Sequence, residues 1–169
     1  MRISIIGMPG AGKSTLARKL AGLGLHYISS GDLARASGFA GSKAESSGKL
    51  DPDENKIIKL VREAVKGKDS YVLDGFPRQS GQATKVPIDL VIFLDVAESI
   101  ARKRLLKRGR PDDRVSVINN RMDAYKEFTH PLVAFYCSES PCRIVSVCAN
   151  YEADQVFTEA MMEIIKYAA

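Results

Sequence analysis

The chain has no tryptophan, two histidines and three cysteines among its 169 residues. It also has no long apolar run, and each scarcity removes a class of function. No stretch approaches the ~18 consecutive apolar residues that a bilayer-spanning helix needs, so no membrane role is expected. Met1–Ile6 is a short apolar strand candidate that runs straight into glycines, without the longer apolar stretch and cleavage site of a signal peptide. Cys137, Cys142 and Cys148 are odd in number, late in the chain and spaced unlike any zinc site. Reduced thiols in a cytoplasmic protein are the expectation, with no zinc. His26 opens a strand and His130 precedes Pro131, so both histidines read as structural rather than as general bases.

What is present is ordinary in amount and informative in order. The chain is 45% hydrophobic and 27% charged, a globular composition of a length that fits one domain over residues 1–169. The formal charge of +5 calls for anionic partners without choosing between nucleic acid and small phosphates. Strand-like runs at Arg2–Ile6, His26–Ile28, Tyr71–Leu73, Leu90–Asp95 and Arg143–Val147 are rich in Val, Ile, Leu or Tyr. Helix candidates fall between and after them, at Lys13–Ala21, Pro52–Lys66, Ala97–Lys107, Arg114–Cys137 and Glu152–Tyr167. Asp51 is placed to cap the second helix, with Pro52 at its first position. Pro131 should break or kink the fourth. Strands alternating with helices predict an α/β fold, a five-stranded parallel sheet with helices on both faces and ligands at the carboxyl ends of its strands. Ala36–Gly48, rich in Gly, Ser and Ala, reads as a loop or short helical excursion.

Gly7-Met8-Pro9-Gly10-Ala11-Gly12-Lys13-Ser14 fits the G-x-x-x-x-G-K-[ST] pattern and lies between a strand and a helix. Glycines let the backbone curl until successive N–H groups point at phosphate oxygens, and the helix beginning near Lys13 adds its positive end. Lys13 can reach the β- and γ-phosphates of a triphosphate, and the Ser14 hydroxyl can ligate Mg²⁺. This motif predicts nucleoside triphosphate binding. Alone it does not separate kinases from switches, ATPases or motors.

Two further stretches describe an acceptor. Tyr71-Val72-Leu73-Asp74-Gly75-Phe76-Pro77-Arg78 is a buried-strand pattern that ends in an acid, a turn and an arginine. An acid at that strand end lies beside the phosphate loop and can hold Mg²⁺ or its waters. Ser30-Gly31-Asp32-Leu33-Ala34-Arg35 follows the second strand and brings Arg35 to the same sheet edge as Arg78. Two planar guanidinium forks there suit a second, fixed phosphate. The run from Arg102 to Arg110 reads as a nucleic-acid patch, a targeting run or part of the catalytic site. Arg104 and Arg108 are four apart and share a helical face, which favours catalysis over nucleic acid. Arg102, Lys103 and Lys107 then form a solvated face.

These motifs, in this order, resemble the adenylate kinase group of nucleoside monophosphate kinases over nearly the whole chain. The resemblance is carried by the phosphate loop, Ser30–Arg35, Gly48-Lys49-Leu50 before Pro52-Asp53-Glu54, Leu73–Arg78, Arg104–Gly109, Arg110-Pro-Asp112-Asp113, Arg121 and Thr129–Tyr136. It implies a three-layer P-loop fold, with an acceptor-binding insert at about 31–65 and a minimal lid at about 108–113. The implied reaction is ATP + AMP to 2 ADP with Mg²⁺, in a cytoplasmic enzyme expected to be a monomer. By the same resemblance Gly7, Pro9, Gly10, Ala11, Gly12, Lys13, Ser14 and Thr15 hold ATP, and Arg104 stacks on its adenine. Ser30, Gly31, Arg35, Gly75, Arg78 and Gln82 hold the acceptor, with Gln82 on the AMP base. Asp74 orders the waters of Mg²⁺, and Arg108, Arg110 and Arg121 surround the transferring phosphoryl group.

The sequence also departs from that pattern. Gly109 alone separates Arg108 from Arg110, where the family usually has a longer lid, and this leaves no room for a zinc-binding one. The insert is short, and the loop ends Lys13-Ser14-Thr15 where these kinases more often have Gly-Thr-Gln. Small shikimate- or gluconate-type kinases share the Lys-Ser-Thr ending. Other acceptors (CMP, UMP or a sugar acid) therefore stay open, as does a regulatory or RNA-associated ATPase.

Overall fold

Five strands form one parallel sheet in the computed structural model, which describes residues 1–38, 54–109 and 113–169. They are β1 (Arg2–Gly7), β2 (His26–Ser29), β3 (Tyr71–Asp74), β4 (Leu90–Asp95) and β5 (Arg143–Cys148), in the spatial order β2-β3-β1-β4-β5. All five predicted strands are present, each within a residue of its expected end. The register sets Ile5 beside Asp74 and Ser29 beside Asp74, so the carboxyl ends of β1, β2 and β3 finish level. That common edge is where a parallel sheet opens its crevice.

Alternation along the strands covers both faces. Ile3 and Ile5 of β1 turn to one side, with Val72, Ile92, Val145 and Val147, against Leu16, Ala17 and Leu20 of α1 (Lys13–Ala21). The same side carries Ala101 and Leu105 of α4 (Glu98–Arg108), Ile118 and Met122 of α5 (Val115–Ala124), and Val156 and Ala160 of α7 (Ala153–Ala168). The opposite face holds Ile28, Tyr71 and Leu73 against Ile57, Ile58 and Val61 of α3 (Glu54–Val65), each such burial worth ~1.5–3 kcal/mol. Beside it, Ile6 and Val91 meet Leu132 and Tyr136 of α6 (Pro131–Ser138).

Two expectations about helices are corrected. Ser30–Ala36, not predicted as a helix, is helical and forms α2, with the Ser29 side chain accepting from the Asp32 amide at 3.2 Å as N-cap. The single helix expected over Arg114–Cys137 is three pieces. Arg114 occupies the N-cap position of α5, a π-helical turn covers Tyr125–Thr129, and α6 starts at Pro131. Proline lacks an N–H and fits a first helical position, and the His130 amide instead donates to the Tyr125 carbonyl, five residues back, at 2.8 Å. The expected cap Asp51 with Pro52 and Asp53, and most of Ala36–Gly48, lie outside the described residues.

Candidate active site

At the carboxyl edge of the sheet an open cavity of about 510 Å³ is framed by the loop after β1, the ends of β2 and β3, α4 and the π-helical turn. The glycines of the first loop are required for two different reasons. A Cβ on Gly10, at φ +85°, would lie 2.4 Å from the Ala101 carbonyl oxygen, so the loop closes against α4 only with hydrogen there. Gly12, at φ +96°, has nothing within 4 Å of its would-be Cβ and turns the chain into α1. Gly7, Pro9, Gly10, Gly12, Lys13, Ser14 and Thr15 all line the cavity, whereas Ala11 is buried beneath it.

Lys13 donates from Nζ to the carbonyls of Gly7 at 2.8 Å and Met8 at 2.9 Å. Its ammonium pKa is lowered to about 8, chiefly by burial; the Asp74 charge opposes this, and Arg78 and Arg108 add to it. Asp74 is 6% exposed, and among the described residues it pairs with no lysine or arginine. Two hydroxyls serve it instead. Ser14 Oγ donates to its Oδ2 at 2.5 Å and Tyr27 OH donates to the same oxygen at 3.0 Å. Burial, and then the Asp74 charge, raise the phenol pKa of Tyr27, so it remains an O–H donor. A buried carboxylate with hydroxyl neighbours and no paired cation is an oxygen donor set that suits Mg²⁺, which commonly binds through one or two carboxylates plus substrate phosphates.

The turn after β3 is held on every side. Ser30, buried at the start of α2, donates to the Gly75 carbonyl at 2.7 Å, and Ser4 Oγ donates to the Phe76 carbonyl at 2.7 Å. Arg78 Nε donates to the Gly75 carbonyl at 3.0 Å, while its amide donates to Gln82 Oε1 at 2.8 Å. Thr129 Oγ1, on the π-helical turn, donates to the Arg78 carbonyl at 2.9 Å. Arg78, Gly75, Gly31 and Arg35 therefore reach the cavity from the turn and from α2, with Arg35 ion-paired to Asp32. Ser30 and Gln82 do not line the cavity; both are buried and brace the turn.

The helical arginines close the other side. Arg104 lines the cavity and donates from Nη1 to the Ala149 carbonyl at 2.6 Å and from Nη2 to the Tyr151 carbonyl at 2.7 Å. Arg108 donates from Nε and Nη2 to the two oxygens of Asp113 at 2.9 and 2.7 Å, and Arg121 Nη1 reaches Asp113 at 3.4 Å. Both arginines line the cavity, while the Asp113 side chain is 1% exposed. Arg110 lies outside the described residues. Arg18, Tyr27, Asp32, Tyr125 and Thr129 line the cavity as well, although the sequence reading gave them no role. Arg18 Cζ stands 5.6 Å from the centre of the Tyr27 ring. A lysine-bearing glycine loop, a buried carboxylate and a ring of arginines on one cavity are suited to hold phosphates and neutralise charge as it shifts between them.

Known proteins resemble this chain in sequence. The family model described as adenylate kinase matches residues 5–141. An adenylate kinase of Parasynechococcus marenigrum (strain WH8102) is 38% identical over 174 residues, covering 92% of this chain and 93% of that protein. An adenylate kinase of Synechococcus sp. (strain CC9311) is 37% identical over 171 residues, covering 90% of this chain and 93% of that protein. A family match that begins in β1 and runs past α6, with relatives alike over nearly their whole length, establishes that the chain belongs to the adenylate kinase family.

Proposed function

We propose that the cavity binds two nucleotides at once and passes a phosphoryl group between them. Membership of the adenylate kinase family makes the chain a nucleoside monophosphate kinase, a phosphotransferase with a phosphate group as acceptor, catalysing ATP + AMP to 2 ADP. The observation that carries the residue-level reading is the convergence of Lys13, Asp74, Arg35, Arg78, Arg108 and Arg121 on one cavity.

In this reading Gly7–Thr15 cradle the donor triphosphate, Lys13 leaves the loop carbonyls to contact the β- and γ-phosphates, and Arg104 backs the donor base. Arg35 and Arg78 grip the acceptor phosphate, backed by Ser30, Gly31, Gly75 and Gln82. Arg108 and Arg121, with Arg110, surround the group in transit. The acceptor nucleophile is already an anionic phosphate oxygen, so the site needs no strong base and works by positioning and by neutralising charge. Ser14, and Asp74 by way of water, would hold Mg²⁺, which would supply charge neutralisation to the triphosphate.

We also assign the enzyme to the cytoplasm as a monomer, with nucleotides rather than nucleic acid as partners. Among the described residues no helix is long and apolar enough to cross a membrane, and the three cysteines are free. The test is a panel of acceptors (AMP, CMP, UMP, shikimate and gluconate) with ATP and Mg²⁺, read as ADP formed. AMP should accelerate turnover most. Faster turnover with a pyrimidine monophosphate or sugar acid would reassign the acceptor, and no acceleration by any of them would leave an ATPase.

A further inference from the structure

Tyr27 belongs to none of the motifs that mark this site, yet it reaches the middle of it. It lies on the edge strand β2, beside Val72 of β3 and two residue pairs (one same-face rung) below the Ser29–Asp74 pair. Side chains two residues apart on a strand share a face, so Tyr27, Val72 and Asp74 lie on the same side of the sheet. A tyrosine is long enough to reach from one rung to the next, and its hydroxyl meets Asp74 Oδ2. Ser14 Oγ donates to that same oxygen. The two hydroxyls approach from different elements, α1 and β2, and together hold Oδ2 from two directions. Oδ1 receives neither of them. The Tyr27 ring is itself held, by Arg18 above it and by the apolar cluster that includes Val72.

We propose that Tyr27 is a positioning residue for the divalent cation: its hydroxyl holds Asp74 Oδ2 so that Oδ1 is kept in place for the water shell of Mg²⁺. This rests on the assignment of Ser14 and Asp74 to the metal. If Ser14 turns a lone pair toward the cation, one of the two anchors on Asp74 is shared with the metal, and Tyr27 is the anchor that is not. Groups that orient a metal-binding side chain from behind typically contribute 10–100-fold to metal affinity.

The test is Mn²⁺ binding to the full chain saturated with the non-transferable β,γ-imido analogue of ATP, read by the electron paramagnetic resonance of free Mn²⁺. Metal-free affinity for the analogue and melting temperature are measured alongside. Tyr27→Phe keeps the ring and removes the hydroxyl. It should weaken Mn²⁺ about tenfold, leave metal-free analogue affinity unchanged, and raise the Mg²⁺ concentration needed for half-maximal turnover more than it lowers kcat. Tyr27→Leu should match it in Mn²⁺ affinity, even if it melts lower. Wild-type Mn²⁺ affinity in Tyr27→Phe would overturn the proposal, and so would a loss seen in Tyr27→Leu alone, because the ring and not the hydroxyl would then matter. Asp74→Asn separates the two levels of the argument. It should lose more affinity than Tyr27→Phe, and if it binds Mn²⁺ as wild type does, the metal assignment itself falls.

Discussion

Asp113 takes Arg108 in a two-pronged grip, one guanidinium nitrogen to each carboxylate oxygen, while Arg121 reaches the same carboxylate from α5. The acid is 1% exposed and the Arg108 side chain 35%, so the pair is rooted on the acid side and open on the cavity side. This geometry orients two cations that would otherwise repel each other at the wall of the cavity. Asp113→Ala should therefore lower kcat about 10–100-fold, by analogy with other supporting shells. Stability should fall by about 1–3 kcal/mol, discounted for the exposure of Arg108. Steady-state kinetics with ATP and AMP, together with urea unfolding, check both. Unchanged kcat would mean that the arginines find their positions without it.

Much of this is legible in the sequence itself. The phosphate loop and all five strands are local patterns whose period or spacing declares itself. Helix α2 was not legible: it is seven residues long, contains Gly31, and is secured by the Ser29 cap and by Ser30 reaching across to Gly75. Pro131 announced a break but not the π-helical turn before it, which brings Tyr125 and Thr129 to the cavity. Thr129 on Arg78 spans 51 positions and Tyr27 on Asp74 spans 47, contacts that no local pattern encodes. Asp113 was visible as part of a motif, while its burial between two arginines depends on α4 and α5 meeting.

Arg78 is braced through its amide by Gln82, through its carbonyl by Thr129, and through its own Nε by Gly75. So well-held a cation should act mainly on the acceptor. Arg78→Ala should reduce kinase turnover about 10²–10³-fold, the usual cost of removing one preorganised charge-stabilising donor. ATP binding, followed by calorimetry, should be nearly retained. Wild-type turnover in this variant would remove Arg78 from the acceptor site.

Away from the site, Asp89 ties the start of β4 to the start of β1. Its Oδ2 accepts from the Arg2 amide at 2.7 Å, its Oδ1 accepts from Arg2 Nε at 3.0 Å and also contacts Nη2, and its amide donates to the Arg2 carbonyl at 2.8 Å. The hydrogen bond from the Arg2 side chain holds the Asp89 carboxyl below the usual carboxylate range, against the opposing effect of burial. The folded chain thus binds fewer protons here than the unfolded one. The stabilisation is fully present above the ordinary aspartate pKa of ~3.9 and is lost as pH falls through the lower folded value. Asp89→Ala should cost about 1–2 kcal/mol at pH 7, a modest figure because Arg2 is 40% exposed. Urea unfolding of both proteins across a pH series should show that gap closing below pH ~4; a gap that persists in strong acid would mean the loss is one of packing.

The shortness of the connection between Arg108 and Arg110 has a chemical cost. In kinases a closing lid keeps water from taking the phosphoryl group before the acceptor arrives. Here Gly109 is the one residue between the two arginines. It caps α4 at φ +64°, and the cavity behind it is open. Acceptor-free ATP hydrolysis should therefore be measurable with Mg²⁺ present, and it should fall when AMP is added, because the acceptor phosphate occupies the path of water. The control is Lys13→Ala, which removes the loop cation and should bring hydrolysis to the enzyme-free rate. Phosphate release by wild type that equals this variant's would mean that water is excluded without a long lid.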